Sequence, residues 1–150
     1  DDTSPQLGNT LDLNENYIQL KPVPASDESG SGDIANMTVD VNDSGVAAAL
    51  YMASDGNFEE ADASSDTTLP CMAIALEFST GSKDVLLKGF MRDDSWNWTS
   101  IGQPVYVSTT AGGFTQTAPS TSGEFVQRVG IATHADRIFF NPDYTIIEIA

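Results

Sequence analysis

The stretch Gly102-Gln-Pro-Val-Tyr-Val-Ser-Thr-Thr-Ala-Gly-Gly-Phe-Thr-Gln-Thr-Ala-Pro-Ser-Thr-Ser-Gly-Glu-Phe-Val-Gln-Arg-Val-Gly-Ile-Ala132 decides how the whole chain is read. Val105 and Val107 alternate with Tyr106 and Ser108, the two-residue period of a half-buried strand. Ala111, Gly112 and Gly113 supply a turn, because glycine reaches positive φ without a Cβ clash, and Phe114 to Thr117 pair back as a hairpin. Pro119 to Gly123 break the chain again before the β-rich run Phe125, Val126, Val129 and Ile131. Nothing in this stretch is chemically reactive, so it predicts architecture and not a reaction.

Working outward, Arg137 to Phe140 reads as a strand, and so does Thr145 to Ile149 beyond the Asn-Pro-Asp turn at 141 to 143. Upstream, Met37 to Val41, Cys71 to Phe78 and Val85 to Arg92 have the same character. Val46 to Ala53 has helical propensity in its alanines but is short for a stable helix, so it too is expected as a strand. Phe58 to Thr68 is acidic and rich in Ala and Ser, which predicts an exposed loop. Short strands separated by turn signals at intervals of about 8 to 12 residues predict an all-β fold, a small barrel or sandwich of antiparallel strands. Ala25 to Asp33 reads as a flexible Gly/Ser/acid linker or loop marking a boundary. The expected division is an extended linker or interchain segment over 1–24 and an all-β domain over 25–150.

A 150-residue chain can bury roughly 70% of the surface its unfolded form exposes, so one real core is feasible. Six Lys and Arg against 22 Asp and Glu give a net charge of −16. Such a field repels phosphate backbones and anionic headgroups, which argues against nucleic acid and membrane insertion as partners. The acidity reads first as solubility, with cation binding the alternative. The single cysteine, Cys71, has no partner for an intramolecular disulfide and lies in an apolar run, where a thiol behaves as a small inert hydrophobe. The chain starts at Asp1 and not at Met, as a processed product or a piece of something longer would.

Asp1 to Ile18 resembles the linker "DDTSPxLGGxLDLNxNxI" of bacteriophage tail-fibre proteins: Asp2, Thr3, Pro5, Leu7, Gly8, Leu11, Leu13, Asn14, Asn16 and Ile18 fall in register, and Asn9 replaces the second glycine. From Leu69 onward, the succession Gly-Phe-Met, Trp, Gly-x-Pro-Val-Tyr-Val-Ser, Gly-Gly-x-Thr-x-Thr-x-Pro and Val-Gln-x-Val-Gly-Ile-Ala is similar to a β-domain recurrent in phage virion proteins, tail fibres especially. Neither pattern includes a catalytic motif. The resemblance implies a virion location, contact with other virion proteins and assembly as a homotrimer. Leu7, Leu11, Leu13, Ile18 and Leu20 form a sparse apolar ladder with no core of their own to join, which makes them candidate interchain contacts. Leaving such side chains solvated forgoes roughly 1.5 to 3 kcal/mol each.

His134 is the only histidine, and no Gly-x-Ser-x-Gly elbow presents a serine to it, so a catalytic triad is not expected. One Cys and one His do not make a usual zinc site. Asp40-Val-Asn42-Asp43-Ser44-Gly45 follows the opening of an EF-hand loop, but Tyr51 stands where the closing bidentate Glu is required. A turn whose Asx side chains bond their own backbone is the simpler reading. Asp93 and Asp94 beside Trp96 and Trp98 are the one acid and aromatic cluster that suggests sugar. Trp96 and Trp98 share one face if extended, and are expected to pack in the core or between subunits, with ligand contact the alternative. The sequence therefore predicts no catalytic residue, no cofactor and no metal. It predicts a non-enzymatic structural domain of a bacteriophage virion, a tail fibre, contributing to fibre assembly and in one version to host-glycan attachment. A capsid decoration protein is the alternative, and a polysaccharide-binding or -degrading tailspike fragment a weaker one.

Overall fold

The computed structural model of the chain describes residues 20–40 and 45–150. Strand accounts for 44% and helix for 2%, the latter as one 3₁₀ turn at Asp66–Thr68, so the all-β expectation holds. No helix among the described residues is long and apolar enough to cross a membrane. The strands are β1 (Ser29–Val39), β2 (Ala49–Met52), β3 (Phe58–Glu60), β4 (Cys71–Ala75), β5 (Gly81–Arg92), β6 (Pro104–Val107), β7 (Phe114–Thr115), β8 (Phe125–Val126), β9 (Arg128–His134), β10 (Arg137–Phe140) and β11 (Ile147–Glu148).

Five strands close a barrel in the order β1-β3-β2-β4-β5, with β5 returning to β1. The β1–β3 contact is parallel, through Val39 and Phe58, and the others are antiparallel. A barrel of so few strands has a narrow bore, so its lining must be mostly small. Ala48, Ala73 and Ala75 fill it together with Val39, Leu50, Phe58 and Val85. The alanine run that weighed toward helix is thus used for its size.

β5 is long enough to serve two sheets. Val85 and Leu86 pair with β4, while Gly89 to Arg92 pair with β10, and β9, β6 and β7 follow outward. This extension curls over the barrel. Val105, Val107, Val129, Ala132, Ile138 and Phe140 on its inner face meet Ala49, Tyr51, Cys71 and Ile74 on the barrel's flank in a second, larger core. The β6–β7 hairpin forms as read, with Tyr106 opposite Thr115 and Val107 opposite Phe114. Gly112 takes the positive φ its turn requires, and its carbonyl accepts from the Ala49 amide, which fastens the hairpin tip to the barrel.

Two expectations are corrected. Ser29 to Asp33, read as part of a flexible linker, is the first half of β1 and pairs with Arg92 to Lys88. The Gly/Ser composition serves close approach: a Cβ on Gly32 would lie 2.1 Å from the Lys88 carbonyl oxygen, and one on Gly89 would lie 2.2 Å from that of Ser31. Phe58 to Thr68 is not simply an exposed loop, because Phe58 to Glu60 form β3 and Phe58, Ala61 and Ala63 are buried. Alanines among acids conceal that inward face from a composition-based reading.

Candidate functional site

The turn after β5 holds both tryptophans. Asp93 is buried, and its carboxylate accepts from the Ser95 amide at 2.8 Å while its carbonyl accepts from the Trp96 amide. The Trp98 amide donates to the Ala135 carbonyl in the β9–β10 turn, which fixes the second indole beside the first. The rings of Trp96 and Trp98 lie 5.3 Å apart, and Trp96 meets Phe114 edge-on at 5.9 Å. Both indoles are half-buried against the larger core, and the Trp98 Nε1 has no acceptor among the described residues. Their alternation in sequence does bring them together, as one aromatic cluster. Trp96, Asp93 and Glu60 also border a shallow hollow walled by Gly45 to Ala48 and Ala111 to Gly113.

The two carboxylates of this turn have different surroundings. Asp94 is exposed and bound in bidentate fashion by Arg92 at 2.7 and 2.9 Å, and its amide donates to Asp27. Asp93 meanwhile stabilises its own turn. Nearby, the Asp136 carboxylate accepts from Arg137 at 2.8 Å, contacts His134 Nδ1 at 2.6 Å and faces Arg92 at 3.7 Å. Arg92 and Arg137 are directly opposite in the ladder, a repulsive pairing that Asp136 and Asp94 offset. The Arg137 bond, then that of His134, holds the Asp136 carboxyl down at about 2. Among the described residues no hydroxyl is hydrogen-bonded to His134.

Cys71 is fully buried, which pushes its thiol up to about 12. Tyr51, at the EF-hand closing position, donates to Glu59 at 2.7 Å, and that bond, with burial, raises its hydroxyl to about 12. Asn42, Asp43 and Ser44 lie outside the described residues, as do Leu7, Leu11, Leu13 and Ile18; Leu20, the last of the ladder, is half-buried where the described chain begins. Among the described residues no group of three His, Cys, Asp or Glu side chains gathers as a metal site.

Sequence reading missed two features. Gln127 is fully buried: its Oε1 accepts from the Cys71 amide at 2.6 Å, and its Nε2 donates to the carbonyls of Cys71 and Asp143, both at 2.9 Å. The side chain thus replaces a strand partner at the start of β4. The second feature is a lateral row on the outer sheet face, where Ser31, Phe90, Phe139, Ile131 and Pro104 stand in register across β1, β5, β10, β9 and β6. The rings of Phe90 and Phe139 lie 4.9 Å apart, tilted by 49°, and Ile131 is 42% exposed. Alternation along β5 puts Lys88 and Arg92 on the same face as Phe90, and Arg128 borders the groove over Ile131 and Phe139. Comparison with known proteins finds no matching family model, and neither curated proteins nor solved structures give a significant match.

Proposed function

We propose that this chain is a non-enzymatic structural domain of a bacteriophage virion, a tail-fibre component that self-associates as a homotrimer. The observation that carries the reading is how the residues of the virion-like pattern are used. Val105, Tyr106 and Val107 build the hairpin that braces the barrel, and Gln127, inside Val-Gln-Arg-Val-Gly-Ile-Ala, ties the start of β4 to the junction of β8 and β9. The recurrent residues are spent on making a self-supporting β-body, which is what a fibre needs at each station along its axis. Side chains that carry chemistry elsewhere are engaged in the same task, Asp93 in its turn and Asp136 between two arginines. Closed rotational symmetry suits a fibre axis.

Sedimentation velocity of the full chain at several salt concentrations tests this. The expected result is a trimer that strengthens with salt, because screening weakens the repulsion among chains of charge −16. A monomer at every concentration and salt overturns the reading and favours a decoration module docked as a single copy. A second reading, host-glycan contact, is favoured by Trp96 beside Asp93 and Glu60 at the hollow. Quenching or a shift of tryptophan fluorescence on adding host surface oligosaccharide, lost in Trp96→Ala, supports it, and no response refutes it.

A further inference from the structure

We infer that the outer face of β5, β10, β9 and β6 is the acceptor surface for residues 1–19 of a neighbouring copy of this chain. This rests on the self-association proposed above and names the contact through which it occurs. Phe90, Phe139, Ile131 and Pro104 form a continuous apolar row across four strands, which solvent would otherwise cover. Its basic flanks are unusual for this chain. Lys88, Arg92, Arg128 and Arg137 lie on or beside it, four of only six Lys and Arg in the sequence. Arg92 and Arg137 are balanced by Asp94 and Asp136, whereas Lys88 and Arg128 form no ion pair among the described residues. Lys88 has Asp33 opposite it in the β1–β5 ladder and Arg128 lies near Asp143, but neither is held in a close ion pair, so both remain available to acidic groups of an incoming segment.

Residues 1–19 match this in both respects. They carry Asp1, Asp2, Asp12 and Glu15 with no Lys or Arg, and Leu7, Leu11, Leu13 and Ile18 supply apolar anchors. The segment leaves the barrel at the β1 end of its own copy's row. The Lys21 amide donates to Ser31 Oγ at 2.9 Å, and Ser31 is the β1 member of the row. The row spans four strand gaps, about 19 Å at roughly 4.8 Å each. Nineteen extended residues reach about 60 Å, so the segment is long enough to cross to the next copy and cover that copy's row. Exchange between copies links neighbours around an axis, whereas a segment folded back on its own barrel links nothing.

The test compares sedimentation of the wild type with Ile131→Asp, Arg128→Glu and a chain lacking residues 1–19, each checked for native circular dichroism. The expected result is association by the wild type and at least tenfold weaker association by each variant. Arg128 is exposed, so its reversal keeps the test valid if Ile131→Asp fails to fold. A wild type that associates with variants that associate equally overturns the inference and leaves the proposed function standing. A wild type that never associates overturns both. Mixing Leu11→Cys chains with Ile131→Cys chains under mild oxidation should give the mixed disulfide dimer. If that dimer is absent, while the double-cysteine chain closes a disulfide within itself, the segment covers its own barrel and the inference fails.

Discussion

Replacing Gln127 by methionine keeps the volume of a fully buried side chain and deletes three hydrogen bonds at once. The Cys71 amide and carbonyl are buried, and each would lose its side-chain partner at about 1 to 3 kcal/mol. The Asp143 carbonyl is only part-buried and can turn to water, so it adds little. Removing a buried primary amide returns part of this, which leaves a net loss of about 2 to 4 kcal/mol. For a chain of this length that lowers Tm by about 5 to 15 °C. Urea unfolding followed by tryptophan fluorescence measures the loss directly. Gln127→Glu gives a sharper check: its carboxylate still accepts from the Cys71 amide but would face the carbonyl oxygens of Cys71 and Asp143. At neutral pH it should be worse than methionine. Because burial and the two carbonyls favour the protonated acid, which can donate, the deficit should shrink as pH falls. A methionine variant within about 1 kcal/mol of wild type, or a glutamate variant milder than methionine at pH 7, would refute the account of Gln127 as a substitute strand partner.

Gly89→Ala should prevent or severely weaken folding, since the new Cβ would meet the Ser31 carbonyl at 2.2 Å, whereas Gly45→Ala, with nothing within 4 Å, should be near neutral; thermal melts of both decide it. Asp136 is held down at about 2, so its contribution is fully present above the unfolded carboxylate range near pH 4 and is lost as pH falls through about 2. The carboxylate is only partly buried, so solvent screening limits the effect to about 1 kcal/mol or less, and Asp136→Asn should remove this part of the acid dependence in pH-resolved urea titrations. The Cys71 thiol, pushed up to about 12, should resist Ellman's reagent in the native chain and react fully in denaturant; rapid native labelling would contradict the burial.

The all-β class and most strands were legible because their signals are local. Val105 and Val107 show the strand period, Gly112 and Gly113 mark the turn, and the hairpin they predict forms in register. The pairing of Trp96 with Trp98 was likewise readable from their spacing of two. Three other features depend on partners distant in sequence. Gly32 looks like a linker residue until β5 is brought against it, when the missing side chain becomes the condition for contact, and Gly30 likewise leaves room for the Leu76 side chain. Gln127 lies 56 residues from Cys71, and only closure of the barrel flank against β9 makes it a hydrogen-bond clamp. Phe90, Phe139, Ile131 and Pro104 come from four strands, and their alignment into one row depends on the registers of the β5–β10, β10–β9 and β9–β6 pairings. Local periodicity determined which residues become strands. Which faces they bury, and which apolar row is left outside, follows from sheet order and register, which are set by long-range packing.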